Sequence, residues 1–220
     1  MVAQLERSHH PPFVDSGDPI ETASDKAFSL APGQIAGLSG LPGSGLTRVG
    51  LSLLVPYTSR GPLAYLDVRG WASPLAAWEL GIDPEHFVVV RTGDLVIWSR
   101  VVAVLLDGVR AVYAEVPMGI KDAALRTLAA KARTRRTPLV LRPLDGKLPN
   151  GVVNLHLEAR EVTWEGTEQG HGQLMRRRTL LDASGKTMRG MERIVEVEDD
   201  GTNNMRVVSH LGAQASRGFA

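Results

Sequence analysis

Residues 34–47 read QIAGLSGLPGSGLT, a short apolar run that passes directly into a glycine-rich turn. The apolar run predicts a buried strand, and the spacing of Val49, Leu53 and Leu54 predicts a helix after the turn. A turn of this kind, together with the helix N-terminus, presents backbone amides to phosphate groups. The stretch therefore predicts an α/β fold with a phosphate-type loop after its first strand.

The turn matches the phosphate-loop pattern GxxxxGK[ST] only in part. Gly40 and Gly45 occupy the two glycine positions, Gly43 lies between them, and Thr47 retains the hydroxyl that binds magnesium in such loops. Leu46 stands at the lysine position, so the ammonium group that would contact the phosphates is missing. We therefore expect this loop to be a vestige that binds neither ATP nor magnesium.

The first two thirds of the chain alternate apolar strands with helices, which implies right-handed crossovers and a mainly parallel sheet. Further strands are predicted at 63–67, 87–90, 111–116 and 138–141, and helices at 73–80, 94–106 and 121–134. Asp94 is the expected cap of the second of these helices. The apolar residues expected to share one buried face of that helix are Leu95, Trp98, Val101, Val102 and Leu105.

After Gly151 the pattern changes to alternation with a period of two, which is typical of antiparallel strands. Such stretches occupy 153–160, 173–181, 193–198 and 205–211, and turn dipeptides such as Ser184-Gly185 separate them. The chain thus divides into a loosely ordered N-terminal arm, a core and a C-terminal β extension with a flexible tail. The boundaries of these parts are 1–25, 26–184 and 185–220.

Composition excludes several classes of function. The 220 residues include no cysteine, so disulfides, zinc clusters of the finger type and thiol nucleophiles are excluded. The six histidines show no metal-ligand spacing, and we expect no metal site. No stretch approaches the roughly 18 apolar residues of a membrane span, so we expect a cytoplasmic protein without a membrane partner.

The order of the motifs resembles the RecA family of recombinases over roughly residues 27–184. Residues 67–74 read DVRGWASP and are similar to the segment in which a catalytic glutamate follows the strand-end aspartate by two residues. Arg69 stands at that glutamate position, and Glu115 stands where the family has its magnesium-associated aspartate. The resemblance implies a RecA-like core, and the eroded positions Leu46 and Arg69 imply that ATP hydrolysis has been lost.

A short RecA-like chain with eroded motifs resembles the ImuA family of bacterial mutagenesis proteins, in particular its truncated actinobacterial form. That resemblance implies a non-enzymatic adaptor in translesion synthesis during the SOS response to DNA damage. The implied partners are an ImuB-like homologue of Y-family polymerases, with RecA and an error-prone C-family polymerase as further candidates. A nucleotide-binding switch that does not hydrolyse ATP and a SulA-like inhibitor of cell division are the alternatives.

Arginines outnumber lysines 20 to 5, and two arginine clusters stand out against a net charge of +1. The first lies at the end of a predicted helix, within the acid-free stretch 123–144, and admits two interpretations, a solvated helix end or a contact site; it comprises Arg133, Arg135 and Arg136. The second lies in a predicted strand, whose alternating side chains require either an edge position or an anion on the outer face; it comprises Arg176, Arg177 and Arg178.

We predict that both clusters contact a partner protein or, weakly, DNA phosphates. Trp71 is the third predicted contact, because it lies in a loop beside the eroded catalytic position rather than in a periodic apolar segment.

Overall fold

The computed structural model describes residues 30–166, 174–188, 192–200 and 205–214, without the side chains of residues 192 and 209–214. The predicted N-terminal arm and the last six residues of the predicted tail lie outside the described residues.

In the described residues, nine strands form one sheet in the order β3-β2-β4-β5-β1-β6-β7-β8-β9. They are β1 (Ile35–Ser39), β2 (Leu63–Asp67), β3 (Phe87–Arg91), β4 (Ala111–Val116), β5 (Leu139–Pro143), β6 (Leu155–Glu165), β7 (Arg176–Ser184), β8 (Glu192–Asp199) and β9 (Met205–Gln214). The pairs from β3 to β6 are parallel, and those from β6 to β9 are antiparallel. This confirms the predicted α/β class and the change to antiparallel strands late in the chain.

The helices of the described segments that flank the parallel strands are α1 (Leu46–Ser52), α2 (Pro74–Trp78), α3 (Leu95–Gly108) and α4 (Asp122–Arg135). Short 3₁₀ turns occupy Val55–Arg60, Pro84–His86 and Lys186–Met188. One apolar cluster includes residues of α1 and α2, and a second includes residues of α3 and α4. Because helices cover both faces, every residue of β2 and of β4 is buried.

Helix α3 buries a narrower stripe than the sequence indicates. Trp98, Val102 and Leu106 are buried at a spacing of four residues, whereas the first helical residue, Leu95, is 48% exposed. The predicted cap is confirmed, since Asp94 Oδ1 accepts a hydrogen bond from the amide of Val96 at 2.8 Å. Val101 and Leu105 are half-buried against the same apolar cluster, so the predicted face is too wide only at the helix start, where Leu95 is exposed.

The antiparallel strands continue the parallel sheet directly. Strand β6 pairs with β1 on one side, with Ala36 opposite Leu155, and with β7 on the other. Strand β7, which carries Arg176 to Arg178, is thus interior, and the edge-strand explanation for this cluster is wrong. The edge strand β9 pairs with β8 through two register shifts, which bend an edge and discourage further pairing.

None of the helices in the described part of the chain is long and apolar enough to cross a membrane.

Replacing Leu38 with alanine should lower the free energy of unfolding by about 2–5 kcal/mol, because its side chain is completely buried in the first apolar cluster. The matched control is Leu41→Ala, three residues later, where the side chain is 80% exposed and the change should stay within about 0.5 kcal/mol. Urea denaturation measures both, and equal losses would contradict this packing.

Candidate functional site

The predicted vestigial residues meet where the parallel strands end. The loop 40–47 follows β1 and the loop 68–72 follows β2, while Glu115 lies near the end of β4 and Arg142 near the end of β5. Because these strands are parallel, their carboxyl ends lie at one edge of the sheet, which we call the carboxyl edge. Ligands of open α/β sheets bind at this edge, so its side chains form the candidate site.

Glu115 is the centre of this site and is completely buried. Its Oε2 accepts hydrogen bonds from the amides of Val68 at 3.0 Å and Arg69 at 3.2 Å. Its Oε1 accepts a hydrogen bond from Nε of Arg69 at 3.0 Å. It also accepts a short hydrogen bond from a terminal nitrogen of the same guanidinium. The arginine at the eroded catalytic position thus neutralises the buried acid of the neighbouring strand.

Two tyrosines pack beneath the pair formed by Glu115 and Arg69. The rings of Tyr65 and Tyr113 stack with centroids 4.6 Å apart, and the hydroxyl of Tyr65 donates to Glu115 Oε1 at 3.2 Å. Burial, together with the nearby Tyr113 and Glu115, raises the pKa of Tyr65, so its phenol stays protonated and continues to donate. On the other side, Trp98 Nε1 donates to the backbone carbonyl of Glu115 at 2.8 Å.

Asp67 fixes the rest of the loop after β2. Its carboxylate accepts hydrogen bonds from the amides of Gly70, Trp71 and Ala72 at 2.8–3.1 Å. Gly70 adopts φ 76°, a left-handed conformation that favours glycine. The loop therefore presents Trp71 outward, with its side chain 70% exposed and its ring 4.6 Å from the guanidinium carbon of Arg69.

The second candidate magnesium ligand, Thr47, is also bound to an arginine. A guanidinium nitrogen of Arg142 donates to Thr47 Oγ1 at 2.6 Å, and Arg142 is only 7% exposed. Tyr113 packs against the same guanidinium; burial raises the pKa of its phenol, and the positive charge of Arg142 opposes that shift. The hydroxyl of Thr47, which the sequence places at a magnesium position, thus accepts a hydrogen bond from Arg142 of β5.

The glycines of the first loop serve packing in the structure. A Cβ on Gly40 would lie 2.8 Å from the Cβ of Ala159, so this position admits close approach of β6. A Cβ on Gly45 would lie 2.3 Å from the guanidinium carbon of Arg177, which therefore lies against the backbone of the loop. Leu46 is completely buried in the first apolar cluster.

Gly43 is the exception among these glycines, because a Cβ there would meet no atom within 4 Å. It borders an open hollow of about 370 Å³ between the loop and β6, lined by Leu41, Val162, Trp164 and other residues. No charged ligand is indicated by this lining, since Arg160 is its one charged residue and pairs with Asp182 at 2.6 Å.

The residues of this site do not fit a complex of magnesium and ATP. Thr47 and Glu115, the two candidate magnesium ligands, are each hydrogen-bonded to a guanidinium group, which repels a divalent cation. In the part of the chain that the structure describes, no three acidic or histidine side chains cluster as metal ligands would.

The two predicted arginine clusters lie at different places relative to this site, and the cluster on β7 is the nearer one. Arg177 lies beside the loop and pairs with Asp199, while Arg178 pairs with Glu198 at 3.1 Å and Glu165 at 3.2 Å. These two arginines of an interior strand thus form ion pairs with carboxylates of the same chain, most of which belong to the acidic strand β8. Contact of the cluster with a partner or DNA stays a prediction.

The first cluster lies at the opposite end of the sheet, where α4 ends. Arg133 donates to the carbonyls of Gly151 at 3.3 Å and Val152 at 3.0 Å, and Arg135 pairs with Asp107 at 2.7 Å. Arg136 ends the helix in a left-handed conformation with φ 56°.

Sequence reasoning missed Arg142 and the tyrosine pair as parts of the site. Arg142 was expected in the loop after the fifth strand, and the structure places it within β5. Tyr65 and Tyr113 each occupy the middle of a predicted strand, and their pairing follows from the register between β2 and β4. A sequence signal existed for Arg177 and Arg178, because three successive cations oppose the acid-rich stretch 192–200.

The fold and this edge define the class of the chain as an α/β domain whose phosphate-type loop is held by its own arginines. A comparison with family models matches residues 29–146 to the family described as MT3502 N-terminal domain. Because the match spans more than half of the chain, the chain belongs to this family. A search of curated proteins found no match.

Replacing Arg69 with methionine should lower the free energy of unfolding by about 3–5 kcal/mol, because Glu115 would keep a buried charge without its cation. Adding Glu115→Gln should recover part of that loss, since the remaining buried group is then neutral. Urea denaturation of the single and double variants gives the coupling between the two side chains.

The control for this cycle is Arg126→Met, which breaks an exposed pair with Asp122 and should cost less than about 1 kcal/mol. Equal costs for the variants at positions 69 and 126, or additive effects at positions 69 and 115, would contradict the central role of the buried pair.

Proposed function

We propose that this protein is a RecA-like adaptor without ATPase activity, which contributes binding surfaces to an assembly for DNA-damage-induced translesion synthesis. One observation carries the loss of catalysis: Thr47 and Glu115, the two candidate magnesium ligands, both accept hydrogen bonds from arginine side chains. The place in a mutagenic assembly rests on the resemblance of the sequence to the ImuA family.

The charges at the carboxyl edge oppose hydrolysis at two steps. Phosphoryl transfer to water needs a cation on the phosphates and a group that orients or deprotonates the water. Leu46 provides no cation, and its side chain is buried away from the loop surface. Arg69 cannot accept a proton, and its guanidinium is already engaged by Glu115.

The same contacts supply rigidity, which suits a binding surface. The carboxylates of Glu115 and Asp67 together accept hydrogen bonds from five consecutive backbone amides, those of residues 68–72. A loop held in this way presents Trp71 without a large loss of conformational entropy on binding. Exposed aromatic side chains on ordered loops are frequent anchors of protein interfaces.

The partner proposed for this surface is an ImuB-like homologue of Y-family polymerases, as the resemblance implies. RecA and an error-prone C-family polymerase are further proposed members of the assembly. Trp71 is supported as an anchor by its 70% exposure and by the cation of Arg69 stacked on its ring.

We expect no ATP turnover by the full chain, with or without single-stranded DNA, above the background given by a Thr47→Ala variant. The physical reason is the engagement of both candidate metal ligands by arginines. A phosphate-release assay measures turnover, and calorimetry with millimolar ATP and magnesium measures binding. Turnover that the Thr47→Ala change abolishes would refute the adaptor proposal.

Replacing Trp71 with alanine should weaken capture of the ImuB-like partner about 30-fold, the loss expected for an aromatic anchor of an interface. Trp71→Phe should retain most of the affinity, because it keeps an aromatic face beside Arg69. Val104→Ala is the control, since Val104 is 68% exposed on α3. Biolayer interferometry with the purified partner measures all three, and equal affinity of the alanine variant at position 71 and the parent chain would exclude this anchor.

A further inference from the structure

The end of the sheet opposite the carboxyl edge carries a row of arginines. Strands β2, β4 and β5 are neighbours in the sheet, and an exposed arginine stands just before each of them. Arg60 precedes β2 by three residues, Arg110 directly precedes β4, and Arg136 precedes β5 by three residues. Neighbouring strands lie about 4.8 Å apart, so the topology brings together three cations that are distant in sequence.

Contacts confirm that these segments adjoin each other. Arg110 Nε donates to the carbonyl of Arg60 at 2.9 Å, and the amide of Arg110 donates to Pro62. The amide of Val112 donates to Pro138, which joins the start of β4 to the segment after Arg136. Arg133 extends the row, because a Cβ on Gly33 would lie 3.2 Å from the Cα atoms of both Arg133 and Arg136. We call Arg60, Arg110, Arg133 and Arg136 the amino-edge arginines.

The amino-edge arginines have no carboxylate partner among the described residues. The nearby acid Asp107 is taken by Lys131 at 2.6 Å and Arg135 at 2.7 Å, and these cations lower its pKa. Asp83 and Glu85 precede the edge strand β3 and limit the row on that side. Within the described ranges, no carboxylate pairs with the positive charge over the starts of β2, β4 and β5.

The chemistry of this surface favours a polyanion over a folded protein partner. Protein interfaces are anchored by apolar or aromatic side chains, and the large exposed apolar residues in the described part of the chain lie elsewhere. None of them falls in the segments 60–62, 108–110 and 136–138 that border the row. Guanidinium groups match phosphate oxygens in geometry and charge, and contacts to the phosphate backbone need no apolar anchor.

We propose that the amino-edge arginines bind the phosphate backbone of a nucleic acid without selecting its sequence. The surface is distinct from the carboxyl edge, so this proposal holds or fails independently of the adaptor function. Binding by four cations should weaken by about 50-fold between about 50 mM and 200 mM salt for a single strand.

The test is fluorescence anisotropy of the full chain with a labelled single-stranded oligothymidylate. The triple variant R60Q/R110Q/R136Q should bind at least tenfold more weakly than the parent chain. It should also lower the steepness of the salt dependence by about 2 in log–log slope, the value for three lost phosphate contacts. Circular dichroism of the variant establishes that the fold is retained.

The matched control is R100Q/R126Q/R193Q, which removes the same charge from exposed arginines on α3, α4 and β8. It should change the affinity by less than about twofold, beyond the small effect of net charge. Equal losses in the two triple variants, or no binding at low salt, would overturn the proposal. So would displacement of the oligonucleotide by poly-L-glutamate at equal charge concentration, because the row would then accept acidic polypeptides as readily.

Discussion

The carboxyl edge of the sheet depends on one buried carboxylate. Glu115 is fully enclosed at the end of β4, where an unpaired charge would be unstable by several kcal/mol. The chain meets this requirement with the guanidinium of Arg69, two backbone amides and the phenol of Tyr65. A glutamate at position 69 would bring a second carboxylate to the same pocket, so Arg69 and Glu115 form one electrostatic unit.

Sequence patterns were most informative where burial is complete. Strands β2 and β4 are covered on both faces and read as apolar runs apart from Asp67 and Glu115, and their predicted limits, 63–67 and 111–116, match the structure. The buried face of helix α3 is harder to predict, because Leu95 and Val104 are apolar and yet exposed, which widens the apparent apolar face. Periodicity reports which residues are apolar and leaves open whether a neighbouring element covers them.

The site could be predicted only as a set of separate positions. Thr47, Arg69 and Glu115 follow from motif order, but the pairing of Arg69 with Glu115 and of Arg142 with Thr47 follows from topology. Arg142 and Thr47 are 95 residues apart in sequence, and they meet because β1 and β5 are neighbours in the sheet. The same argument applies to Arg60, Arg110 and Arg136, whose proximity arises from the strand order β2-β4-β5.

The packing around Leu46 and Gly45 makes this loop difficult to convert into one that binds phosphate. A lysine at position 46 would begin in a completely buried site, and Arg177 would still lie against Gly45, held there by Asp199. Arg142 would also still donate its hydrogen bond to the hydroxyl of Thr47. Phosphate binding at this loop would require several simultaneous replacements, each of which alone disturbs the core or leaves a charge unpaired. The loop is thus a joint between the parallel and antiparallel halves of the sheet, and changes in its sequence would act first on folding stability.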